Sequence, residues 1–139
     1  MTVLAHQHAL ITGSSSGLGL ACARALARVG AQVWLNGRAQ DKLDAALAAI
    51  KADGGAARAL AFDVTDEAAA ADAFARIEAE AGQLDILVNN VGLRDRRGLF
   101  EIDSAGARGL IEVNLAAPFE LARRAAKLMI AGGRGGRIV

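Results

Sequence analysis

The chain has 139 residues, 16 Lys and Arg against 15 Asp and Glu, and 53% hydrophobic against 22% charged residues, the balance of one globular domain rather than of a disordered chain. A net charge of +1 supplies no general attraction to nucleic acid or to an anionic membrane, so neither is expected as a partner. A single cysteine, Cys22, with only His6 and His8 beside it, excludes an intrachain disulfide and argues against a structural metal site, which leaves those three residues structural and makes the reducing cytoplasm the expected compartment.

Met1 to His8 lacks the charged-then-apolar pattern of a signal peptide, and a glycine or a charge interrupts every candidate membrane span. His8-Ala-Leu-Ile-Thr12 predicts a buried strand, running directly into Gly13-Ser-Ser-Ser-Gly-Leu-Gly19. Leu18, Ala21, Cys22, Ala25, Leu26 and Val29 then recur at helical spacing as the inward stripe of an amphipathic helix, with Gly30 as its stop. Gln32 to Asn36 predicts a second strand. Leu43, Ala46, Leu47 and Ile50 mark a second helix, closed by Asp53-Gly54-Gly55, and alanine-rich Ala57 to Phe62 a third strand. Thr65 or Asp66 can cap a third helix whose face holds Ala70, Phe74, Ile77 and Ala81. Leu84 to Val88 is a fourth strand ending in Asn89-Asn90. After a loop with Arg94-Asp-Arg-Arg97, a long helix runs from about Ser104 into the 120s, with Leu110, Val113, Ala117, Leu121 and Leu128 along one side. Gly132 to Gly136 is a turn, and Arg137-Ile-Val139 begins a fifth strand.

Strands alternating with helices imply βαβ units, hence an α/β fold with one parallel sheet, helices on both faces and the doubly wound strand order 3-2-1-4-5. Residues 1–139 form one domain without linker or repeat. The last strand would be short and its outer edge unpaired, so the expectation is a domain cut short of its last strands and helices, the front part of a longer parent.

A strand that turns through glycines straight into a helix brings backbone N–H groups and a positive helix end to one point, a setting for a phosphate. Gly13 permits the tight turn, Gly17 close backbone approach and Gly19 close packing of helix on strand, while Ser14, Ser15 and Ser16 add hydroxyls. The spacing G-x-x-x-G-x-G is neither the G-x-G-x-x-G fingerprint nor a P-loop. With its preceding threonine, Thr12 to Gly19 resembles the T-G-x-x-x-G-x-G cofactor loop of the short-chain dehydrogenase/reductase family. Three further segments agree in order: Asp63-Val64 after the third strand, Asn89-Asn-Val-Gly92 after the fourth (similar to the family's N-N-A-G, with Val91 for Ala), and Asn114 in Glu-Val-Asn-Leu. The resemblance implies a Rossmann-type fold and a bound nicotinamide dinucleotide. It implies cofactor contacts from Gly13, Ser15, Ser16, Gly17, Leu18 and Gly19, from Asp63 and Val64 at the adenine ring, and from Asn90, Val91 and Gly92. Asn114 it implies to be catalytic, kinking its helix and holding a water in a proton relay.

An acid at the end of the second strand would bond the ribose hydroxyls and repel a 2′-phosphate, and a nearby arginine does the opposite. In Leu35-Asn-Gly-Arg38 the acid's position falls on Gly37 and Arg38 follows, so NADP(H) is favoured over NAD(H). Ser16, where many NADP-using relatives carry a basic residue, argues the other way.

The family's activity is hydride transfer between nicotinamide and a carbonyl or secondary alcohol, with a serine, a tyrosine and a lysine at the reacting carbon. This sequence has no tyrosine, and Lys42, Lys51 and Lys127 fall in no Y-x-x-x-K pattern. Two readings follow: the front part of an NADP-dependent oxidoreductase whose remainder supplies those residues, or a dinucleotide-binding module without redox activity. Arg94, Arg96 and Arg97 lie where ligands reach such sheets, either to meet an acidic substrate such as a sugar acid or a carrier-bound acyl group, or as a solvated face. With Leu35 to Arg38, they resemble gluconate 5-dehydrogenase-type members, and next 3-oxoacyl-carrier-protein reductases. Relatives pair through the long helix, which implies a homo-oligomer for the full-length form.

Overall fold

The computed structural model describes residues 3–139. In chain order its elements are β1 (His8–Ile11), α1 (Gly17–Arg28), β2 (Gln32–Gly37), α2 (Gln40–Ala52), β3 (Ala56–Ala61), α3 (Glu67–Ala81), β4 (Ile86–Val88), α4 (Ser104–Ile111), a π-helical turn (Glu112–Ala116), α5 (Ala117–Ala131) and β5 (Arg137–Ile138). The strands form one five-stranded sheet in the order β3-β2-β1-β4-β5, and every neighbouring pair is parallel. This is the doubly wound, Rossmann-type arrangement expected from the alternation of elements. No helix among the described residues is long and apolar enough to cross a membrane.

Because successive strand residues point to opposite faces, each strand contributes to two cores. Leu10, Trp34, Leu60 and Leu87 face α3 and α5, packing with Phe74, Ile77, Leu121 and Leu128. Ala9, Ile11, Val33, Leu35 and Ile86 face α1 and α2, packing with Ala23, Ala27, Leu43 and Ile50.

The inward face of α1 differs from the one its periodicity predicts. Gly19, Ala23 and Ala27 are buried, whereas Leu18 is 73% exposed and Ala21 and Ala25 are also exposed. Cys22 and Leu26 pack from the flank, half-buried. The helix lies so close to the sheet that only its smallest side chains fit beneath it, and a helix rich in alanine all round carries more than one apolar stripe. Other boundaries shift less: β3 begins at Ala56, and β4 is confined to Ile86–Val88. Asp66 rather than Thr65 caps α3, its carboxylate accepting from the Ala69 N–H at 3.0 Å. The long helix is interrupted by the π turn, which holds Asn114. Insertion of one extra residue per turn is a usual cause of a helix bend.

At the opposite end of the sheet from the loops, Asp85 is 8% exposed and ties three segments together. Its carboxylate accepts from the His8 N–H at 2.8 Å, from Gln83 Nε2 at 3.2 Å and from Arg134 at 2.9 Å. The Trp34 Nε1–H in turn donates to His8 Nδ1 at 3.4 Å, an acceptor that only the neutral imidazole offers. Burial holds His8 below its ordinary value of 6.5, opposed by Asp85 and assisted by Arg58 and Arg134. The unfolded chain therefore takes up this proton first as pH falls, so His8 leaves stability untouched well above 6.5 and lowers it as pH drops below that value. Thermal melts at about pH 7.5 and about pH 5 should show a loss on acidification that is smaller in His8→Gln, by less than the one-proton limit of about 1.4 kcal/mol per pH unit. An identical acid loss in both proteins would show that His8 does not contribute.

Candidate functional site

The β1–α1 loop reverses direction at the end of β1 through two left-handed residues, Gly13 at φ 61° and Gly17 at φ 56°, a conformation that disfavours any side chain. At Gly13 a Cβ would also stand 3.0 Å from Val91 Cγ2, so the loop and the segment after β4 touch there. Ser16 is the N-cap of α1 but its side chain makes no capping bond, and no acid occupies the first turn. The leading N–H groups of α1, those of Gly17, Leu18 and Gly19, therefore lack intrahelical partners and carry the positive end of the helix dipole.

A cleft of about 380 Å³ opens at this end of the sheet. Gly13, Ser15 and Ser16 line one side, Gly37 and Arg38 another, Asp63, Val64 and Thr65 a third, and Val91, Gly92, Leu93 and Val113 the fourth. Residues far apart in sequence and singled out for one ligand thus share one cavity. Leu18, whose side chain is turned outward, and Gly17 and Gly19 stand beside the cleft in the first turn of α1. Asn90 supports the loop from behind, its Nδ2 donating to the carbonyls of Thr12 and Gly13 at 3.0 and 3.2 Å.

The Arg38 side chain is 83% exposed at the rim, with its guanidinium 4.0 Å from the Asp63 carboxylate. Asp63 accepts from the Thr65 N–H at 3.0 Å and from the Thr65 hydroxyl at 2.8 Å. Those two bonds, and after them the charge of Arg38, hold its carboxyl below the usual carboxylate range, so it is ionised at neutral pH. A cation that is solvated and only loosely held by one carboxylate can turn to an incoming dianion.

Asn114 does not line the cleft directly. Its amide clasps the backbone of Leu93, accepting from the Leu93 N–H at 2.9 Å and donating to the Leu93 carbonyl at 2.8 Å. The π turn thereby fixes the segment that forms the wall beside Gly92. In the arginine loop, Asp95 chelates Arg97 through bonds of 3.0 and 2.5 Å, and this pairing pulls Asp95 down to about 2. Arg97 is thus neutralised locally, while Arg94 and Arg96 form no ion pair among the described residues. Nor do three His, Cys, Asp or Glu side chains gather there as a possible metal site.

Two residues given no role by sequence reasoning hold the cleft together. The Thr12 hydroxyl, 1% exposed, accepts from the N–H groups of Asn90 and Val91 at 2.9 and 3.1 Å and donates to the Val88 carbonyl at 3.4 Å. Asn36 bonds the loop to two strands at once. A fully polar residue ending an apolar strand, as in Trp34-Leu-Asn36, was the one signal available for it.

A family model described as short chain dehydrogenase matches residues 7–139. The gluconate 5-dehydrogenase of Gluconobacter oxydans is 42% identical over 132 residues, 95% of this chain and 52% of that protein. A sorbitol dehydrogenase of Cereibacter sphaeroides is 41% identical over 131 residues, 94% of this chain and 50% of its own. Among solved structures, a gluconate 5-dehydrogenase from Burkholderia cenocepacia in complex with NADP and tartrate superposes with a TM-score of 0.89 at 38% identity, over 97% of this chain and 53% of that one. A metagenomic short-chain oxidoreductase in complex with NADP gives 0.91 at 40% identity, over 97% and 61%. The chain spans about half the length of the curated relatives it matches.

Proposed function

The chain belongs to the short-chain dehydrogenase/reductase family, and from that premise we propose that residues 1–139 form the dinucleotide-binding part of an oxidoreductase that interconverts a secondary alcohol and a carbonyl using NADP(H) in preference to NAD(H). The observation that carries this reading is the meeting, around one cleft, of an uncapped helix N-terminus and an exposed arginine at the end of β2. The donor set fits the group: N–H groups for a diphosphate, Arg38 for a 2′-phosphate, and no acid at Gly37 to repel it. Relatives solved with NADP support the same preference.

In this reading Ser15, Ser16, Gly17, Leu18 and Gly19 hold the diphosphate, Gly13 shapes the turn beneath it, and Asp63 and Val64 border the adenine. Val91 and Gly92 flank the dinucleotide further along, and Asn90 keeps the loop in shape. When bound, the nicotinamide supplies hydride exchange at the substrate carbon. Asn114 serves the reacting end by fixing Leu93 beside it. The sequence has no tyrosine and spans about half the length of the relatives, so in this reading the serine, tyrosine and lysine of the family's chemistry are not among these 139 residues. A non-catalytic dinucleotide-binding module is the second reading, favoured by the same lack of tyrosine.

For substrate we propose a small hydroxy or oxo acid, since Arg94 and Arg96 follow the cleft-lining Leu93 in the same loop and form no ion pair among the described residues, and the relatives include gluconate dehydrogenases. Ile111, Leu115 and Phe119 are exposed at successive turns of the long helix, and we propose that this stripe pairs with a second copy. The single cysteine favours work in the cytoplasm.

Fluorescence titration tests the cofactor reading. NADPH should bind more tightly than NADH, and Arg38→Ala should weaken NADPH by about 10- to 100-fold, the worth of charge-assisted bonds to a phosphate, with little change for NADH. Equal affinities for both forms, unchanged by the substitution, would refute the preference. Saturable binding without turnover of any hydroxy acid by the full-length protein would favour the second reading.

A further inference from the structure

We infer that Asn36 is the positioning residue that sets the phosphate side of the cleft at a fixed distance from its adenosine side, so that one dinucleotide engages both. The inference rests on the dinucleotide reading above and goes beyond it in assigning this role to a residue that need not touch the ligand.

Asn36 is 1% exposed, and each of its polar atoms is bonded. Its side-chain Oδ1 accepts from the Gly13 N–H at 3.1 Å. Its Nδ2 donates to the Phe62 carbonyl at 3.0 Å and, more weakly, to the Leu60 carbonyl at 3.4 Å. Its backbone pairs twice with Ser14: the Asn36 N–H donates to Ser14 Oγ at 3.0 Å, and the Asn36 carbonyl accepts from the Ser14 N–H at 2.8 Å. Ser14 Oγ then donates to the Ile11 carbonyl at 2.8 Å. One buried amide thus joins the end of β1, the glycine turn and the end of β3.

Two consequences follow from hydrogen-bond inventory. First, Asn36 occupies the N–H groups of both Gly13 and Ser14, so the loop's donors toward an anion begin at Ser15. Second, the coupling needs a donor and an acceptor on one short side chain, which only asparagine supplies at this length. Aspartate would set a carboxylate against two carbonyls, and an apolar residue would orphan the Gly13 N–H. Phe62 is one residue before Asp63, and Arg38 is two residues after Asn36. Both adenosine-side groups are therefore referenced to the same amide that holds the phosphate turn.

The test uses Asn36→Ala and the milder Asn36→Ser in the full chain. Amide hydrogen exchange is measured without ligand, and dissociation constants for NADPH and for 2′-AMP are measured on folded protein. Exchange at Gly13 should quicken in both variants. NADPH, which must satisfy both sides of the cleft, should weaken by about tenfold or more, and 2′-AMP, which has no group for the glycine turn, by no more than about threefold. A residue that only stabilised the fold would lower the melting temperature and weaken both ligands equally or not at all, and that result overturns the inference. Unchanged exchange at Gly13 overturns it as well. Failure of the unsubstituted protein to bind NADPH would overturn the dinucleotide reading itself, while the exchange data would still decide whether Asn36 holds the loop.

Discussion

Gly19→Ala should unfold the cleft before it touches any ligand. A Cβ at Gly19 would stand 2.4 Å from the Gly13 carbonyl oxygen, 2.9 Å from its carbon and 2.6 Å from Asn90 Nδ2. Two of the three obstacles are backbone, and the third is the amide that bonds the carbonyls of Thr12 and Gly13, so no flexible side chain can swing aside. Either α1 lifts from β1, which opens the layer of small residues Ala23 and Ala27 against Ile11 and Val33, or the glycine turn is pushed out of place. Over-packing of this kind costs about 3 kcal/mol, roughly 10 °C in melting temperature for a domain of this size. NADPH affinity should fall by about 100-fold or more, because the α1 N-terminus no longer faces the cleft. Gly109→Ala is the matched control. Nothing lies within 4 Å of its Cβ position, and in mid-helix alanine should be neutral or stabilise by up to about 1 kcal/mol. A Gly19→Ala protein melting within about 2 °C of the parent would contradict the packing described for this corner.

The second large effect is expected at Thr12. Replacing it with valine conserves shape and burial but leaves the N–H groups of Asn90 and Val91 without the oxygen they now share. Each of these two half-buried donors, once orphaned, costs about 1–2 kcal/mol, the lower part of the range for a lost partner, so Thr12→Val should lose about 2–4 kcal/mol. The segment Asn90 to Gly92 should swing free of β1, weakening dinucleotide binding together with stability. Thr12→Ser retains the hydroxyl and should lose only about 1 kcal/mol for the missing methyl. Denaturant melts of the two variants decide the matter. Equal losses would mean that the methyl group, and not the hydrogen bonds, holds the two strand ends together.

The different legibility of these residues has a physical cause. The order of elements follows from alternation and from glycine punctuation, both local properties, and so do the doubly wound topology and the glycine turn. Ala70, Phe74 and Ile77 read correctly as one buried face because large apolar side chains there stand out from their neighbours. On α1 the same reasoning chose the wrong stripe. Alanine on every side makes the pattern nearly degenerate, and the choice fell to how closely the helix approaches the sheet.

At the cleft, backbone chemistry was legible and side-chain allegiance was not. Thr12 to Gly19, Asp63-Val64 and Asn89 to Gly92 could be read along the chain as one set through their resemblance to the family's segments, and Arg38 through its place at the end of the second strand; strand ends of a parallel sheet meet on one side. Which partner each side chain takes depends on residues far away in sequence. Asn90 turns to the carbonyls of Thr12 and Gly13, Asn114 clasps Leu93, and Asn36 joins Gly13 to Phe62. In the arginine loop even a near neighbour mattered, since Asp95 takes Arg97 and leaves Arg94 and Arg96. Periodicity and turn chemistry are properties of a few consecutive residues and need only the chain. A hydrogen bond across strands needs both ends brought within about 3 Å, and only the folded sheet does that.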